Sequence, residues 1–584
     1  MSNPRNPRWR ALGALLRPDA GRWVALGVLV AAGAGLTLGG PLIVRRIVDR
    51  ATAGATAAEL TRLAGLFLAI AVATQLIAVA VAWFATVSAW RTTNSLRIQM
   101  TAHVLGLDHE FHRRHTPGEL IQRVDGDVTS VSDFLSQVVP KAAGAVLTLV
   151  GMVAVLVFID WRVAIGMTIY LSMAVAVVVR SRHRAVLESS DEMGALARLY
   201  GGIEERLTAA EDLRANGAAD HVAWRFIEDS TDAMTTSVRR ERAFLTMWWI
   251  VQSAVTAGWV IVLVVGVTLV SADAITIGTA FLLYQYVLTV SRPLEDVVHM
   301  LETVQKANGA MVRVQDLLAT SATIVDDGTT SPSTGPLSVE CVGVDFDYGD
   351  DQPVLHDLDI DLTAGRSVGI VGRTGSGKTT FSRLVLRLVE PTRGLVCLGG
   401  VPIADIPLDE LRRRVALVSQ EVELFAGTVR DNVTLFDPRP TDDEVVATLR
   451  AVGLDQLADG DIHRALGSGG AGLSAGEAQL LSLARVWLRE PDLVVLDEAT
   501  ARVDPVTEQR LEAAIAKLIA GRTALVIAHR LSTLRRVDDI LVFDRGRVVE
   551  FGPRAALAGD DDSRYARLLS TALEPTAEEV SDER

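Results

Sequence analysis

One glycine-rich segment has the residue types and spacing needed to hold a phosphate chain. Gly372–Thr379 reads GRTGSGKT, fits G-x-x-x-x-G-K-[ST], follows the apolar run Ser367–Val371 and precedes a helical pattern. Glycines in such a loop let backbone N–H groups turn inward around the β- and γ-phosphates at a helix N-terminus. Lys378 would place a point charge on those phosphates, and the Thr379 hydroxyl would ligate Mg²⁺. The 584-residue chain has only four lysines and otherwise uses arginine, so the lysine at this position is expected to have a chemical role.

A second segment, about 120 residues later, supplies two carboxylates. In Leu493–Glu498 (LVVLDE), four apolar residues precede Asp497 and Glu498. A buried strand that ends in this way puts both groups at the carboxyl edge of a sheet, where ligands of α/β proteins bind. We expect Asp497 to hold Mg²⁺ through water. Glu498 would act as a general base on the attacking water, a role that contributes roughly 10²–10⁴-fold in rate.

Three further features narrow the type of enzyme that would use this phosphate-binding loop and these carboxylates. Gln420 ends a strand-like run, where its amide would meet Mg²⁺ or the attacking water, and His529 follows the strand Thr523–Ile527, where it would contact the γ-phosphate. Ser474 is a candidate N-cap for a helix that also contains Gly476. Each feature alone is ordinary, because a single Gln or His is more often a surface residue. The order of all these motifs over about 160 residues is the strong signal.

The first half of the chain is apolar enough to lie in a membrane. Six stretches are long enough, at about 1.5 Å per residue, to cross a hydrocarbon core roughly 30 Å thick. We place them at residues 23–44, 62–89, 138–159, 162–180, 244–270 and 275–297. Very short turns join spans 3 and 4, and spans 5 and 6, which predicts two antiparallel hairpins. No intramembrane carboxylate array suggests proton or metal coupling.

Of the arginines in the loops that join the spans, most lie in the two long loops, between spans 2 and 3 and between spans 4 and 5. This excess places the N-terminus and both loops in the cytoplasm. The pair Arg45/Arg46 on the opposite side is the one discordant feature. Both loops show helical periodicity, so the membrane helices are expected to continue well into the cytosol.

Changes in composition and a polar linker segment predict the domain limits. We predict an all-α transmembrane domain at residues 1–318, a polar linker at 319–336, an α/β P-loop ATPase domain at 337–575 and an acidic tail at 576–584. The net charge of −14 and the lack of a basic cluster argue against a nucleic-acid partner. Two cysteines without metal-ligand spacing read as reduced cytosolic thiols. The arginine-rich, lysine-poor composition suggests a GC-rich bacterial genome.

With these motifs in place, the chain resembles a bacterial half-size ATP-binding cassette (ABC) exporter of the multidrug or lipid type, from about residue 20 to 575. The resemblance implies ATP and Mg²⁺ as cofactors and a multi-pass protein of the bacterial inner membrane with a cytoplasmic ATPase domain. It assigns Gln420 to the Q-loop, Leu473–Glu477 to the signature and Asp504 to the D-loop. Tyr348 matches the aromatic residue that stacks on adenine. The loop that holds the nucleotide would be Gly372, Arg373, Thr374, Gly375, Ser376, Gly377, Lys378, Thr379 and Thr380.

The same resemblance implies a partner. In the family, Ser474 and Gly476 would close over the nucleotide held by an opposing ATPase domain, so that two chains sandwich two ATP molecules. This signature departs from the usual LSGGQ at Ala475 and Glu477. We therefore favour a heterodimer with a second, different half-transporter and two unequal ATP sites, with a homodimer as the alternative.

Coupling and substrate are less closely specified. The resemblance predicts short crossing helices near residues 106–118 and 210–222, which press on the ATPase domains near Gln420. Polar or aromatic candidates within the spans are Gln75, Gln252, Trp259, Tyr284, Gln285 and Tyr286. Interhelical hydrogen bonding is at least as good an account of each. A small amphipathic drug, lipid or peptide is the expected substrate. Import of a siderophore-like ligand and a purely regulatory ATP-binding subunit remain alternatives.

Overall fold

The computed structural model describes residue 13 and residues 16–349, 353–420, 422–467, 472–497, 505–528 and 531–573. Within these ranges, only the backbone is described for 178–179, 181–186, 292–295, 297–299, 301–302, 505–506, 531–533 and 571–573. The chain forms two compact units. The first comprises residues up to 107 and 115–321, and the second comprises 108–114 and the residues from 322 onward. The domain limits predicted from the sequence stay a prediction.

In the residues that the structure describes, the first unit consists of helices and the short segments that join them. Its long helices are α1 (Ala20–Thr52) and α2 (Ala57–Leu105), followed after α3 (His109–Arg114, in the second unit) by α4 (Pro117–Ile121), α5 (Val128–Asp133), α6 (Val139–Ile159), α7 (Trp161–Thr208), α8 (Ala210–Ala215), α9 (Ala219–Ser271) and α10 (Ile277–Ala319). Two wider π-helical turns, Gln122–Asp127 and Phe134–Val138, join α4, α5 and α6 into one helical run. Five of the six predicted spans consist of helical residues, and the sixth, 275–297, begins two residues before α10.

Four helical stretches in the described residues are long and apolar enough to cross a membrane: Arg17–Thr52, Ala57–Leu105, Pro117–Ile159 and Ala219–Ser271. Two shorter apolar stretches, Trp161–Val177 and Ile277–Ser291, overlap most of the other two predicted spans. Helices α2, α7, α9 and α10 contain 49, 48, 53 and 43 residues. At 1.5 Å per residue they are about 65–80 Å long, more than twice the thickness of a hydrocarbon core. The expected extension of the membrane helices beyond the bilayer is therefore present.

Short polar residues fix where these helices begin. The Asp160 carboxylate accepts a hydrogen bond from the Arg162 N–H at 2.8 Å and so separates α6 from α7. The Thr276 hydroxyl accepts from the Thr279 N–H at the start of α10. Such caps satisfy N–H groups that have no partner within the helix. Here they make the tight connections that the sequence predicted between spans 3 and 4 and between spans 5 and 6.

An ion pair with a buried carboxylate ties the segment between α4 and α5 to α10. Asp127 is 1% exposed, and its carboxylate accepts two hydrogen bonds from the Arg313 guanidinium, at 2.8 and 2.5 Å. Removal of one partner from a buried pair leaves an uncompensated charge, which costs about 3–5 kcal/mol when both groups are buried. Since the Arg313 side chain is half exposed, we expect a smaller loss here.

We predict that Asp127→Asn lowers the free energy of unfolding by about 2–3 kcal/mol, seen as a fall in the unfolding temperature of the detergent-solubilised chain. The matched control is Asp125→Asn. Asp125 pairs with Arg97 at 2.9 Å, but its side chain is 67% exposed. An exposed pair contributes about 0–1 kcal/mol. Equal effects of the two substitutions would contradict the structural role assigned to Asp127.

The second unit has two main sheets. An antiparallel sheet contains β1 (Val339–Asp347), β2 (Pro353–Leu362), β4 (Arg393–Leu398) and β5 (Val401–Pro402), in the order β2-β1-β4-β5. The second sheet contains β3 (Ser367–Gly372), β6 (Val415–Val418), β9 (Leu493–Asp497), β10 (Thr523–Ile527), β11 (Asp539–Asp544) and β12 (Arg547–Pro553), in the order β12-β11-β3-β10-β9-β6. A short two-stranded antiparallel sheet pairs β7 (Gly427–Thr428) with β8 (Ala465–Leu466).

Helices α11 (Lys378–Val385), α12 (Leu408–Arg414), α13 (Val429–Thr434), α14 (Asp442–Ala451), α15 (Asp455–Ala458), α16 (Ala475–Arg489), α17 (Pro505–Ile519), α18 (Arg554–Ala558) and α19 (Arg564–Leu573) complete the unit. The strands β3, β6, β9 and β10 are apolar throughout most of their length and almost wholly buried, as expected of parallel strands covered on both faces. The α/β class predicted for this half is confirmed.

Candidate functional site

The parallel strands of the larger sheet bring the predicted nucleotide-binding residues to one edge. β6 pairs with β9, β9 with β10, and β10 with β3, all in parallel. In register, Asp497 lies opposite Ile527, and Ile527 lies opposite Ile370. The carboxyl ends of these strands therefore meet, and the segments that follow them start from the same edge. That edge carries the glycine-rich loop after β3, Gln420 after β6 and Asp497 at the end of β9.

The glycine-rich loop has a backbone that only glycine adopts easily. Gly377 has a φ of 105°, and a Cβ there would lie 2.6 Å from a methyl group of Leu355. Gly372 has a φ of 154°, and its Cβ would lie 2.4 Å from the Phe543 carbonyl oxygen. These residues let the chain turn directly from β3 into α11. The sequence pattern thus places Lys378 in the first turn of a helix, as predicted.

Side chains in this loop fit a phosphate ligand. Lys378 is 5% exposed, and its ammonium donates hydrogen bonds to the carbonyls of Gly372 at 2.7 Å and Arg373 at 3.0 Å. Ser376 is 3% exposed, and its hydroxyl has no hydrogen-bond partner among the described residues. A buried hydroxyl without a partner is costly in a folded protein, and a phosphate oxygen would satisfy it. The loop therefore matches ATP by its donors as well as by its backbone.

The proposed Mg²⁺ ligands also have suitable chemistry. Thr379 and Gln420 are exposed, and Asp497 is half-buried at the end of β9. Hydroxyl, amide and carboxylate oxygens are the hard ligands that Mg²⁺ prefers, together with water and phosphate. The structure does not describe Glu498, Asp504 or His529, so their predicted roles lie outside the described residues.

Tyr348, the predicted adenine-stacking residue, contacts Thr380 of the glycine-rich loop and three residues that the sequence analysis did not identify. Its hydroxyl accepts a hydrogen bond from Arg383 at 2.9 Å and lies 3.3 Å from the Thr380 hydroxyl. The edge of the neighbouring Phe346 ring contacts it, with centroids 4.8 Å apart. The Arg113 guanidinium lies 4.7 Å from the ring centroid, within the range of a cation–π contact.

Arg113 belongs to α3, one of the two short helices predicted in the cytosolic loops. Within the second unit, the Arg114 guanidinium also donates to the Tyr348 carbonyl at 3.4 Å, and Glu110 accepts hydrogen bonds from both arginines. These hydrogen bonds, that from Arg113 first, hold the pKa of Glu110 below its ordinary value. The sequence signal was present as Glu110 followed at i+3 and i+4 by two arginines. The contact of these two arginines with Tyr348, more than 230 residues away, was not predictable from that spacing.

The predicted signature segment begins helix α16. The Ser474 hydroxyl accepts a hydrogen bond from the Glu477 N–H at 3.3 Å, so Ser474 is the N-cap that the sequence predicted. One turn into the helix, the Gln479 side chain donates to the Gln420 carbonyl at 2.9 Å. Gln479, which the sequence analysis overlooked, thus links the signature helix to the segment after β6. Gln479 is 6% exposed, and the sequence gives no sign of this burial.

In the first unit, the candidate substrate-contacting residues differ in their exposure. Tyr286 is fully buried among apolar side chains of the helix bundle, which makes it a packing residue there. Gln75 and Tyr284 are exposed, and Tyr284 lies beside Trp259 with ring centroids 6.3 Å apart. Gln252 and Gln285 are half-buried.

An amphipathic cavity that the sequence analysis did not identify lies between α1 and α2. Its volume is about 660 Å³, and its apolar wall includes Leu42, Ile43, Leu66 and Ile70. Arg45, Arg46, Asp49 and Arg50 supply its polar wall. Asp49 is engaged with Arg45 and the Gly278 N–H, and Arg50 is paired with Glu59. Arg46 is exposed and forms no ion pair with any residue that the structure describes.

Comparison with known proteins gives a consistent assignment. The family model described as "ABC transporter transmembrane region" matches residues 23–294, and that described as "ABC transporter" matches residues 355–501. An "ATP-dependent lipid A-core flippase" of Chromobacterium violaceum is 30% identical over 493 residues, which are 83% of this chain and 83% of that protein. A "Fatty acid ABC transporter ATP-binding/permease protein" of Mycobacterium tuberculosis is 31% identical over 520 residues, 86% of this chain and 80% of that protein.

Among solved structures, a bacterial Atm1-family ABC exporter with ATP bound matches with a TM-score of 0.81, 23% identity and coverage of 97% of this chain and 100% of that chain. At this identity the match supports the fold. With the two family models and the relatives, the resemblance noted in the sequence is confirmed. The chain binds ATP, and its hydrolysis drives transport across the cell membrane, with the ATPase domain in the cytoplasm and two such halves acting together. The chain belongs to the ABC transporter family, as a half-size exporter with one transmembrane region and one ATPase domain.

Proposed function

We propose that this chain pairs with a different half-transporter and that MgATP drives the pair to export an amphipathic molecule. The pairing is supported by two observations taken together. The chain has a complete set of phosphate-binding residues, but its signature differs from the usual LSGGQ. Lys378, Asp497 and Glu498 supply what one nucleotide site needs. The signature at Ala475 and Glu477, which would serve the opposite site, lacks the usual residues. A partner with the complementary strengths would give one competent site and one impaired site.

In this proposal each residue has one task. Lys378 and the backbone of Gly372–Thr380 bind the phosphates, Tyr348 stacks on adenine, and Asp504 lies at the contact between the two ATPase domains. Thr379, Gln420 and Asp497 hold Mg²⁺, which would neutralise charge on the β- and γ-phosphates. Glu498 accepts a proton from the attacking water, and His529 contacts the γ-phosphate. Ser474 and Gly476 donate to the nucleotide that the partner holds.

The pairing is tested by purifying this chain alone in nanodiscs and measuring its ATP hydrolysis. The heterodimer proposal expects a low rate, restored when the partner half is co-expressed. Robust hydrolysis by a homodimer, abolished by Glu498→Gln, would overturn the heterodimer and leave the homodimer in its place.

The proposed substrate class is supported by the amphipathic cavity and by the lipid and fatty acid named for two relatives. The cavity offers apolar side chains beside Arg46, whose guanidinium suits a carboxylate or phosphate head group. A substrate with an acidic head and an apolar tail fits this surface best. The intact hydrolytic residues argue against a subunit that only binds ATP.

We predict that Arg46→Ala lowers the stimulation of ATP hydrolysis by oleate about threefold or more, relative to the unstimulated rate of the same variant. One charge-assisted hydrogen bond contributes about 1.5–3 kcal/mol, and exposure to solvent reduces that contribution. Arg162→Ala is the matched control, because Arg162 is exposed at the α6–α7 turn and contacts Trp161 instead of the cavity. If both variants respond to oleate like the unmodified chain, Arg46 does not bind the acidic head group.

A further inference from the structure

The N-terminus of the signature helix holds a carboxylate of its own chain. The Glu477 carboxylate accepts hydrogen bonds from the Ser474 N–H at 2.8 Å and from the Ser474 hydroxyl at 2.9 Å. In return, the Ser474 hydroxyl oxygen accepts from the Glu477 N–H at 3.3 Å. This reciprocal arrangement is a capping box, and it uses both the hydroxyl proton and the hydroxyl oxygen of Ser474.

The capping box lies at the helix end that is proposed to bind a phosphate, so it competes with the nucleotide for the Ser474 donors. A hydroxyl has one proton to donate, and here the acceptor is the Glu477 carboxylate. A phosphate that approaches Ser474 would have to displace that carboxylate or lie beside a negative charge a few ångströms away. The same charge also offsets the positive end of the helix dipole, which otherwise attracts anions. A glutamine at this position would keep the cap and remove the repulsion.

We propose that Glu477 determines how the opposing nucleotide site distinguishes ATP from ADP, by occupying the donors that would otherwise bind the γ-phosphate. ADP lacks that phosphate, so the carboxylate opposes ATP and leaves ADP unaffected. The site served by this signature then has little preference for ATP. This inference rests on the proposed function, in which Ser474 and Gly476 face the nucleotide of the second subunit. It assigns to Glu477 the ratio of ATP to ADP affinity at that site.

The same unit contains a second box of the same geometry. In α14, the Glu444 carboxylate accepts from the Thr441 N–H at 2.7 Å and from the Thr441 hydroxyl at 3.0 Å. The Glu444 N–H donates to the Thr441 hydroxyl oxygen at 3.3 Å, as at Ser474. None of the motifs assigned to nucleotide binding includes α14. Glu444→Gln therefore makes the same chemical change in the same structural setting without the proposed contact with phosphate.

The experiment measures ATP and ADP as competitors of photolabelling by Mg-8-azido-[α-³²P]ATP, with the full-length assembly in nanodiscs. Label is read on the subunit opposite Glu477, which is the partner in a heterodimer and the second copy in a homodimer. Without substitution, we expect ATP and ADP to compete within about twofold of each other. With Glu477→Gln, ATP should compete roughly tenfold better than ADP, as expected when one like-charge contact at a partly solvated site is removed. Glu444→Gln should leave the ratio unchanged.

Since glutamine also completes a capping box, Glu477→Gln should assemble normally. Should it not, Glu477→Ala also removes the charge and should raise the same ratio. A change below threefold in the assembled variant, or a change of the same size with Glu444→Gln, overturns the inference. Lys378→Ala separates this outcome from failure of the proposed function. If label on this chain persists with Lys378→Ala, the proposed site itself is wrong. If it depends on Lys378 while Glu477→Gln has no effect, only the role of Glu477 falls.

Discussion

Lys378→Ala is expected to lower the rate of ATP hydrolysis by the full-length transporter by roughly 10²–10³-fold, the usual effect of losing one positioned donor to developing negative charge. The ammonium of Lys378 is buried at the start of α11 and oriented by two carbonyls of its own loop. Its position is therefore set before a nucleotide binds, so little reorganisation is needed. Phosphate release by the reconstituted assembly, measured at saturating ATP, gives the rate.

Lys517→Ala is the control for this substitution. Lys517 lies on α17 in the same unit and is exposed to solvent. Its loss removes the same charge and the same number of methylene groups, and we expect a rate within twofold of the unmodified chain. If the two substitutions slow hydrolysis equally, the effect is a general one of charge or folding, and the loop at Gly372–Thr379 is not the phosphate site.

Glu498→Gln should lower kcat by roughly 10²–10⁴-fold, the contribution of a positioned general base. Glutamine has nearly the same shape but does not accept the proton of the attacking water. Binding of ATP should persist, since the phosphate contacts come from Lys378 and its loop. The expected signature is therefore a loss of turnover with retained photolabelling of this chain by Mg-8-azido-[α-³²P]ATP.

Glu490→Gln is the matched substitution for Glu498. Glu490 is exposed at the C-terminal end of α16, a few residues before β9. Its amide variant should hydrolyse ATP at the ordinary rate. Retained turnover with Glu498→Gln, at a level similar to that of Glu490→Gln, would show that another group activates the water.

Local patterns in the sequence predicted most of the fold and the outline of the nucleotide site. Apolar runs of sufficient length gave the six spans, and glycine spacing after a strand gave the turn into α11. Short helices were expected near residues 106–118 and 210–222, and α3 and α8 lie there. Each of these features depends on residues close together in the chain. Such features follow from helix and strand geometry before any tertiary contact forms.

The contacts that the sequence did not reveal join residues far apart in the chain. Arg113 and Tyr348 meet in the second unit, and Asp127 meets Arg313 in the first. Gln479 on α16 meets the Gln420 carbonyl, which follows β6. A surface arginine and a buried one look alike in a sequence, because the partner is fixed only by packing. Glu477 was a different case. The sequence showed that it departs from LSGGQ, and the structure showed where its carboxylate lies.

In the proposed function, the signature helix of a second subunit completes the site of the nucleotide that Lys378 binds. The most direct test compares ATP hydrolysis per chain in nanodiscs that hold this chain as a monomer with hydrolysis in nanodiscs that hold it together with its partner subunit. We predict that the two-subunit assembly hydrolyses ATP roughly 100-fold faster or more, since the isolated subunit lacks one set of γ-phosphate donors. Equal rates per chain in the two preparations would contradict the shared site.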